Sequence, residues 1–278
     1  MERIRALQRC ANGDLSQEPS DLVTLAFMID LDHVSFGTHD ALATAQRLRR
    51  DYGATAVFGE TLPEFRYLAL YLGSAEHGGF LELLDANGPG FMTRFLDRFG
   101  EAPHHLTFTV PDIRASVAQI KELGFTVTGE NYSHEPWQEA FINPHPATGC
   151  VIQLAQTPHT YPTAAELLST NERDLGSFAS SQGALDNTWW LPIWDEQAGP
   201  EIEWDTIETR SSDIPALLTI YRDVLGASVS TKDESTICTW PSGTITITAA
   251  ESSGIDGVRY RRATGDTQVL GVDAGQLG

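Results

Sequence analysis

Basic residues are scarce in this chain: 18 Lys and Arg stand against 38 Asp and Glu, giving a formal net charge of −20 over 278 residues. Nucleic acid and anionic membrane surfaces both require a positive footprint, so neither is expected as a partner. Strongly anionic substrates would not be captured unaided. Cysteine is nearly absent too. Cys10, Cys150 and Cys238 are odd in number and form no CxxC pair, which fits free thiols in a reducing compartment. No apolar run reaches the roughly 18 to 20 residues of a membrane span. The stretch Met1 to Gln17 mixes charges and lacks an apolar h-region, unlike a secretory signal. A cytoplasmic location is expected. A Gly-rich phosphate loop, a nucleophile elbow and an HExxH helix are also missing, which removes the commonest nucleotide, serine-hydrolase and zinc-protease signatures.

What is present is a repeat. Leu31-Asp32-His33-Val34-Ser35-Phe36 is followed by the strand-like Phe80-Leu81-Glu82-Leu83-Leu84, and His104-His105-Leu106-Thr107-Phe108 by Cys150-Val151-Ile152-Gln153-Leu154. The spacing from imidazole to oxygen is equal in the two halves to within one residue. Each half offers one His and one acidic or amide oxygen, so the two copies supply four potential metal ligands. Internal repetition of this kind dictates the architecture.

The order of elements repeats as well. In the first copy an alternating strand at Ile29 to Phe36 leads through Thr38-His39-Asp40 into a helix over Ala41 to Tyr52, closed by Gly53. Strands are expected at Thr55 to Phe58, Phe65 to Leu72 and Gly79 to Leu84. In the second, a strand at Leu106 to Val110 leads through Pro111-Asp112 into a helix over Ile113 to Leu123. Strands at Phe125 to Thr128, Trp137 to Ile142 and Cys150 to Ala155 follow. Both copies read β-α-β-β-β. A third, degenerate copy begins at Glu203-Trp204-Asp205-Thr206-Ile207-Glu208. It continues with a helix over Asp213 to Leu225 and strands at Ile237 to Trp240 and Thr244 to Thr248, with Thr206 at the His position and Thr246 near the Glu82 and Gln153 position. The expected organisation is an N-terminal extension (1–28), a two-module domain (29–157), a connector (158–200) and the degenerate third module (201–278). Three Trp within Trp189 to Trp194 should find something to bury against. The fold class is α+β, with paired modules forming a cupped mixed sheet. The third module should pack beside that sheet or pair with another subunit, so a homodimer is expected.

In each closing strand a lone polar residue, Glu82 or Gln153, sits among apolar ones. Burying such a group without partners is costly, so donors or a metal ion must stand opposite. With these motifs in this order, the chain resembles the vicinal oxygen chelate superfamily, which includes glyoxalase I, methylmalonyl-CoA epimerase, extradiol dioxygenases, and fosfomycin and bleomycin resistance proteins. The resemblance covers residues 29–157 well and 201–250 weakly. It implies a metal on the inner face of the cup, held by His33, Glu82, His105 and Gln153. His105 is preferred to His104 because His104-His105-Leu106 aligns with Asp32-His33-Val34. Isomerase-like members usually carry glutamate at the last position. Here an amide stands there, and an amide cannot act as a base. Exchanging the modules swaps Glu82 with Gln153, which leaves Glu82 as the one carboxylate among the four and the candidate base.

Two imidazoles, a carboxylate and an amide suit Zn²⁺, Ni²⁺, Co²⁺, Mn²⁺ or Fe²⁺ without choosing among them. The resemblance then implies an isomerase, epimerase or lyase that moves a proton on a small substrate chelated through vicinal oxygens. A ring-cleaving Fe²⁺ dioxygenase built on His33, His105 and Glu82 is an alternative. A drug-sequestering protein whose cleft is lined by Trp137, Trp189, Trp190, Trp194 and Trp204 is another. Glu60, Glu64, Arg66 and Tyr132 are further residues within reach of a substrate, and Gln153→Glu is expected to be tolerated.

Overall fold

A computed structural model describes residues 28–133, 137–158, 189–262 and 264–271. The expected helix-like opening before Met28, most of the connector and Cys10 lie outside the described residues.

The first module runs β1 (Asp30–Gly37), α1 (Ala41–Tyr52), β2 (Thr55–Thr61), β3 (Phe65–Gly73) and β4 (Gly78–Ala86). After α2 (Phe91–Phe99), the second module runs β5 (Ala102–Thr109), α3 (Ile113–Glu122), β6 (Val127–Asn131), β7 (Gln138–Ile142) and β8 (Val151–Gln156). Their eight strands form one sheet in the order β2-β3-β4-β1-β5-β8-β7-β6. Read from either end, that order exchanges one module for the other, with antiparallel β1 and β5 at the centre. β1 pairs in parallel with β4, and β5 with β8. The strands that open and close each module therefore lie side by side. That adjacency brings each His near the oxygen of its own module.

The third module is β9 (Glu203–Ser211), α4 (Ile214–Leu218), β10 (Ser228–Lys232), β11 (Ser235–Trp240) and β12 (Gly243–Ala249). A hairpin follows, β13 (Gly254–Arg261) and β14 (Thr267–Gly271), and completes a six-stranded sheet ordered β10-β11-β12-β9-β13-β14. Here β9 repeats the role of β1, parallel to β12 and antiparallel to β13. The expected helix from Asp213 to Leu225 is shorter than its pattern suggested. It gives way at Thr219 to a wider, π-type turn through Val224 that buries Ile220, Tyr221 and Val224. Asp40, Asp112 and Asp213 each cap the helix of their module by accepting a backbone N–H at 2.9 to 3.0 Å. The same local solution recurs three times.

One continuous core holds Val34, Leu81, Leu106 and Ile152 of the first sheet with Ile207, Ile245 and Val258 of the second. Phe108 on β5 packs on Trp240 (centroids 5.0 Å) and on Tyr221 (5.7 Å). Asp30 on β1 accepts from both the backbone N–H (2.9 Å) and the hydroxyl (2.6 Å) of Ser242, in the β11–β12 turn. A Cβ on Gly79 would come within 2.6 Å of the Trp204 ring, so glycine is what permits this close approach. Of the two expected placements of the third module, the structure shows it packed beside the first two. Trp190 and Trp194 are buried in the shared core, and Trp190 donates from its indole to the Gly59 carbonyl at 3.2 Å. Among the described residues, no helix is long and apolar enough to cross a membrane.

α2 was not anticipated. It packs Met92 and Leu96 on Tyr67 and Leu84, in a small separate cluster with Phe58, Phe65, Phe91 and Phe95. The phenyl of Phe95 lies where a Cβ on Gly37 would be, at 2.7 Å.

Candidate metal centre

Alternate residues of a strand share a face. His33 and Ser35 on β1, Glu82 on β4, His105 and Thr107 on β5, and Gln153 on β8 all project from the same face of the first sheet. His33 Nε2 stands 3.6 Å and His105 Nε2 3.7 Å from Glu82 Oε2. Donor atoms of these three residues lie within 4.8 Å of one another. Gln153 Oε1 is 3.3 Å from His105 Nε2. All four residues singled out in the sequence thus meet at one point.

Two hydroxyls stitch this point together, and they follow the pseudo-twofold. Ser35, two residues after His33, donates to Glu82 Oε2 (2.7 Å) and lies 3.0 Å from His105 Nε2. Thr107, two residues after His105, donates to Gln153 Oε1 (2.7 Å) and lies 3.0 Å from His33 Nε2. Each hydroxyl therefore joins the oxygen donor of its own module to the imidazole of the other.

The far side of each ring is held as well. Asp32 Oδ1 is 2.7 Å from His33 Nδ1, and His104 Nδ1 is 2.7 Å from His105 Nδ1. A partner at Nδ1 fixes ring orientation and turns Nε2 toward the site. His104 and His105 come together because the β1–β5 pairing shifts register beside Ser35, a local irregularity of the bulge type. The rings of Phe91 and Phe95 on α2 wall in His104, with centroids 5.7 and 4.7 Å away.

The electrostatics are those of a buried cluster around one positive charge. Burial disfavours a charged His33, but the Glu82 carboxylate and the Asp32 hydrogen bond outweigh it and raise its pKa to about 10. Burial likewise opposes ionisation of Glu82, yet His33 prevails and its pKa falls to about 2. His105 is pushed down to about 3 by burial and by His104, and His104 down to about 4 by burial. One ionised carboxylate, one readily neutral ring and a second ring protonated by its surroundings form a set in which a cation can take the place of a proton. The spacing fits too. Ions held at roughly 2.0 to 2.3 Å keep their ligand atoms about 3 to 4.5 Å apart. Of the proposed cofactors, a divalent metal is compatible with His33, Glu82 and His105 as a candidate group.

One neighbour escaped the sequence. Glu139 on β7 accepts from Gln153 Nε2 at 3.0 Å, and burial raises its carboxyl to about 7. Its polar neighbourhood, Trp137-Gln138-Glu139, gave no sign that this side chain turns inward. The other residues considered are otherwise engaged. Glu60 is buried and accepts from the Tyr67 hydroxyl at 2.6 Å. Arg66 pairs with Asp85 and stacks under Trp189. Glu64 sits against Gly90, and Tyr132 donates to Glu130 under the Arg114 guanidinium.

The profile of a glyoxalase-like domain matches residues 31–177. The chain belongs to the glyoxalase-like domain family. The resemblance to the vicinal oxygen chelate superfamily is thereby borne out, in an α+β fold of β-α-β-β-β modules. No curated protein matches this glyoxalase-like chain. Among solved structures, a variant of Streptomyces coelicolor methylmalonyl-CoA epimerase in complex with 2-nitronate-propionyl-CoA is similar at 24% identity, over 47% of this chain and 98% of that one, with a TM-score of 0.41. Methylmalonyl-CoA epimerase from Mycobacterium tuberculosis matches at 23% identity over 47% and 89%, with a TM-score of 0.42. A hypothetical protein of Bacillus halodurans matches at 19% over 48% and 98%, with a TM-score of 0.43.

Proposed function

We propose that this glyoxalase-like chain is a metal-dependent isomerase, epimerase or lyase that moves a proton on a small substrate bearing vicinal oxygens. The observation that supports it is the meeting of His33, Glu82, His105 and Gln153 at one buried point, with a single carboxylate among them. His33, Glu82, His105 and Gln153 are the holding groups. A divalent ion bound there would supply Lewis-acid polarisation of the substrate oxygens. Glu82 is the base: its carboxylate takes a proton from the carbon next to a carbonyl and returns it elsewhere on the substrate. Burial of the cluster keeps water from competing for that proton.

A dioxygenase reading uses the same His33, Glu82 and His105, which form the two-His-one-carboxylate pattern of Fe²⁺ sites. Metal analysis of protein purified without chelator separates the two. Zinc, nickel, cobalt or manganese, with solvent deuterium entering a 2-oxo acid or thioester, supports proton transfer. Iron with oxygen uptake on a catechol replaces it with the second reading, and protein without bound metal sinks both. The aromatic lining invoked for drug sequestration has little to stand on, since Trp190 and Trp194 belong to the core.

A further inference from the structure

We infer that Glu139 fixes which end of the Gln153 amide faces the site, and that this is why the second module carries an amide where the first carries a carboxylate. The inference rests on the metal reading above for its purpose, but its geometry stands alone. Glu139 Oε2 accepts from Gln153 Nε2 at 3.0 Å and so draws the NH₂ end of the amide toward β7. The opposite end, Oε1, receives the Thr107 hydroxyl at 2.7 Å and stands 3.3 Å from His105 Nε2. Gln153 is only 7% exposed, so water does not loosen this clamp. Held at both ends, the side chain presents an oxygen to the imidazoles. Turned over, it would present two N–H groups, which cannot ligate a cation.

Comparison of the modules supplies the second half of the inference. On β7 and β8, Phe141 stands opposite Gln153, and Glu139 opposite Ala155. On β3 and β4, Ala69 stands opposite Glu82, and Tyr67 opposite Leu84. Tyr67 thus occupies in the first module the place of Glu139 in the second, and its hydroxyl is turned to Glu60. Each module brings one acid to the concave face within these paired positions: on the closing strand in the first, one strand further out in the second. A carboxylate at position 153 would set two acids about 3 Å apart, and like charges that close cannot both stay ionised. The tolerance for Gln153→Glu expected from the sequence is therefore revised. That change is tolerated only when Glu139 becomes an amide at the same time.

Four full-length proteins test this: wild type, Glu139→Gln, Gln153→Glu and the double exchange. Each is titrated with Co²⁺, following the d–d absorption bands and the affinity, and each is melted without metal. Glu139→Gln is expected to weaken Co²⁺ by about 10- to 100-fold, as loss of an orienting partner does, and to alter the band pattern. Gln153→Glu is expected to lower the melting temperature, and the double exchange to recover both affinity and melting temperature, because the hydrogen bond re-forms in the opposite sense. Additive losses in the melting cycle, with no recovery in the double exchange, would overturn the inference whether or not cobalt binds. Failure of the wild type to bind Co²⁺ would instead count against the metal reading, and the melting cycle would still decide the clamp.

Discussion

The two sheets are built on one plan and differ where it matters chemically. Position by position, Thr206 replaces His33, Thr246 replaces Glu82, Glu208 replaces Ser35 and Arg259 replaces Thr107, as the matching strand registers show. Gly257 stands opposite Glu208 as His105 stands opposite Ser35. Where the first sheet gathers imidazoles, the second holds Arg259 between Asp205 (2.9 Å) and Glu208 (3.0 Å), beside a cleft of about 300 Å³. The residues facing the core, Val34 and Leu81 in one sheet and Ile207 and Ile245 in the other, remain apolar and buried. Period-two alternation separates the two roles: one face of each strand maintains the fold, and the other is free to gain or lose chemistry.

The sharpest way to break this comparison is to alter its equivalent positions. Glu82→Gln should lower turnover by about 10²- to 10⁴-fold if Glu82 is the base, whereas Thr246→Ala, at the matching place in the second sheet, should leave turnover unchanged. Steady-state rates of the two variants check this, and a Glu82→Gln enzyme with normal turnover and bound metal would move the base elsewhere. The next effect concerns the seam. Trp240→Ala should cost about 3 to 5 kcal/mol, because Trp240 packs on both Phe108 and Tyr221 and donates to the Leu225 carbonyl at 2.7 Å. Urea unfolding measures it, and both sheets should lose stability in one transition. If the second sheet unfolds first and alone, the shared core is not energetically shared.

A smaller loss is expected from Asp30→Ala, which removes the hydrogen bonds that the buried carboxylate accepts from exposed Ser242 at the same seam. A hydrogen bond of this kind contributes about 0.5 to 1.5 kcal/mol, readable as a lower urea midpoint with unchanged slope. The mildest test uses the thiols. Burial pushes Cys150 up to about 12 and Cys238 up to about 11 from the ordinary 9.0. Both should therefore stay unlabelled by a thiol reagent at neutral pH until the chain unfolds. Because their folded pKa values lie above the unfolded one, the stability they contribute is present below the unfolded value and is lost as pH rises from there toward the folded values. Melting curves at rising alkaline pH should show a falling midpoint, and rapid labelling of both thiols in the native protein would contradict their burial.

The modules were legible because they repeat. A His, an Asp cap, a Gly stop and a polar residue inside an apolar strand recur in phase, and recurrence multiplies weak local signals. α2 was missed although Phe91, Met92, Phe95, Leu96 and Phe99 keep helical spacing between Gly90 and Gly100; with no counterpart in the second copy, it fell outside the pattern. The β13–β14 hairpin was missed for a similar reason, since Gly254 and Gly257 interrupt the alternation of Ile255, Val258 and Tyr260. The convergence of His33, Glu82, His105 and Gln153 could be anticipated from strand alternation. Their outer partners could not. Asp32 and His104 act from neighbouring positions through local irregularities of β1 and β5, and Glu139 acts across a strand pair whose register no sequence pattern specifies.

The unequal pair of Glu82 and Gln153 gives the site a handedness that the backbone lacks. The scaffold is nearly symmetric, so a flat substrate carbon at its centre would meet the two modules from opposite sides. At the paired ligand positions only one side offers a group that can take a proton, since the amide on the other is tied to Thr107 and Glu139. Under the proton-transfer reading, one carboxyl then works a single face of the substrate, which suits transfer of a proton between neighbouring carbons and leaves inversion at one carbon needing a proton from elsewhere. Chirality in the product would thus trace to one amide nitrogen standing where an oxygen could have been.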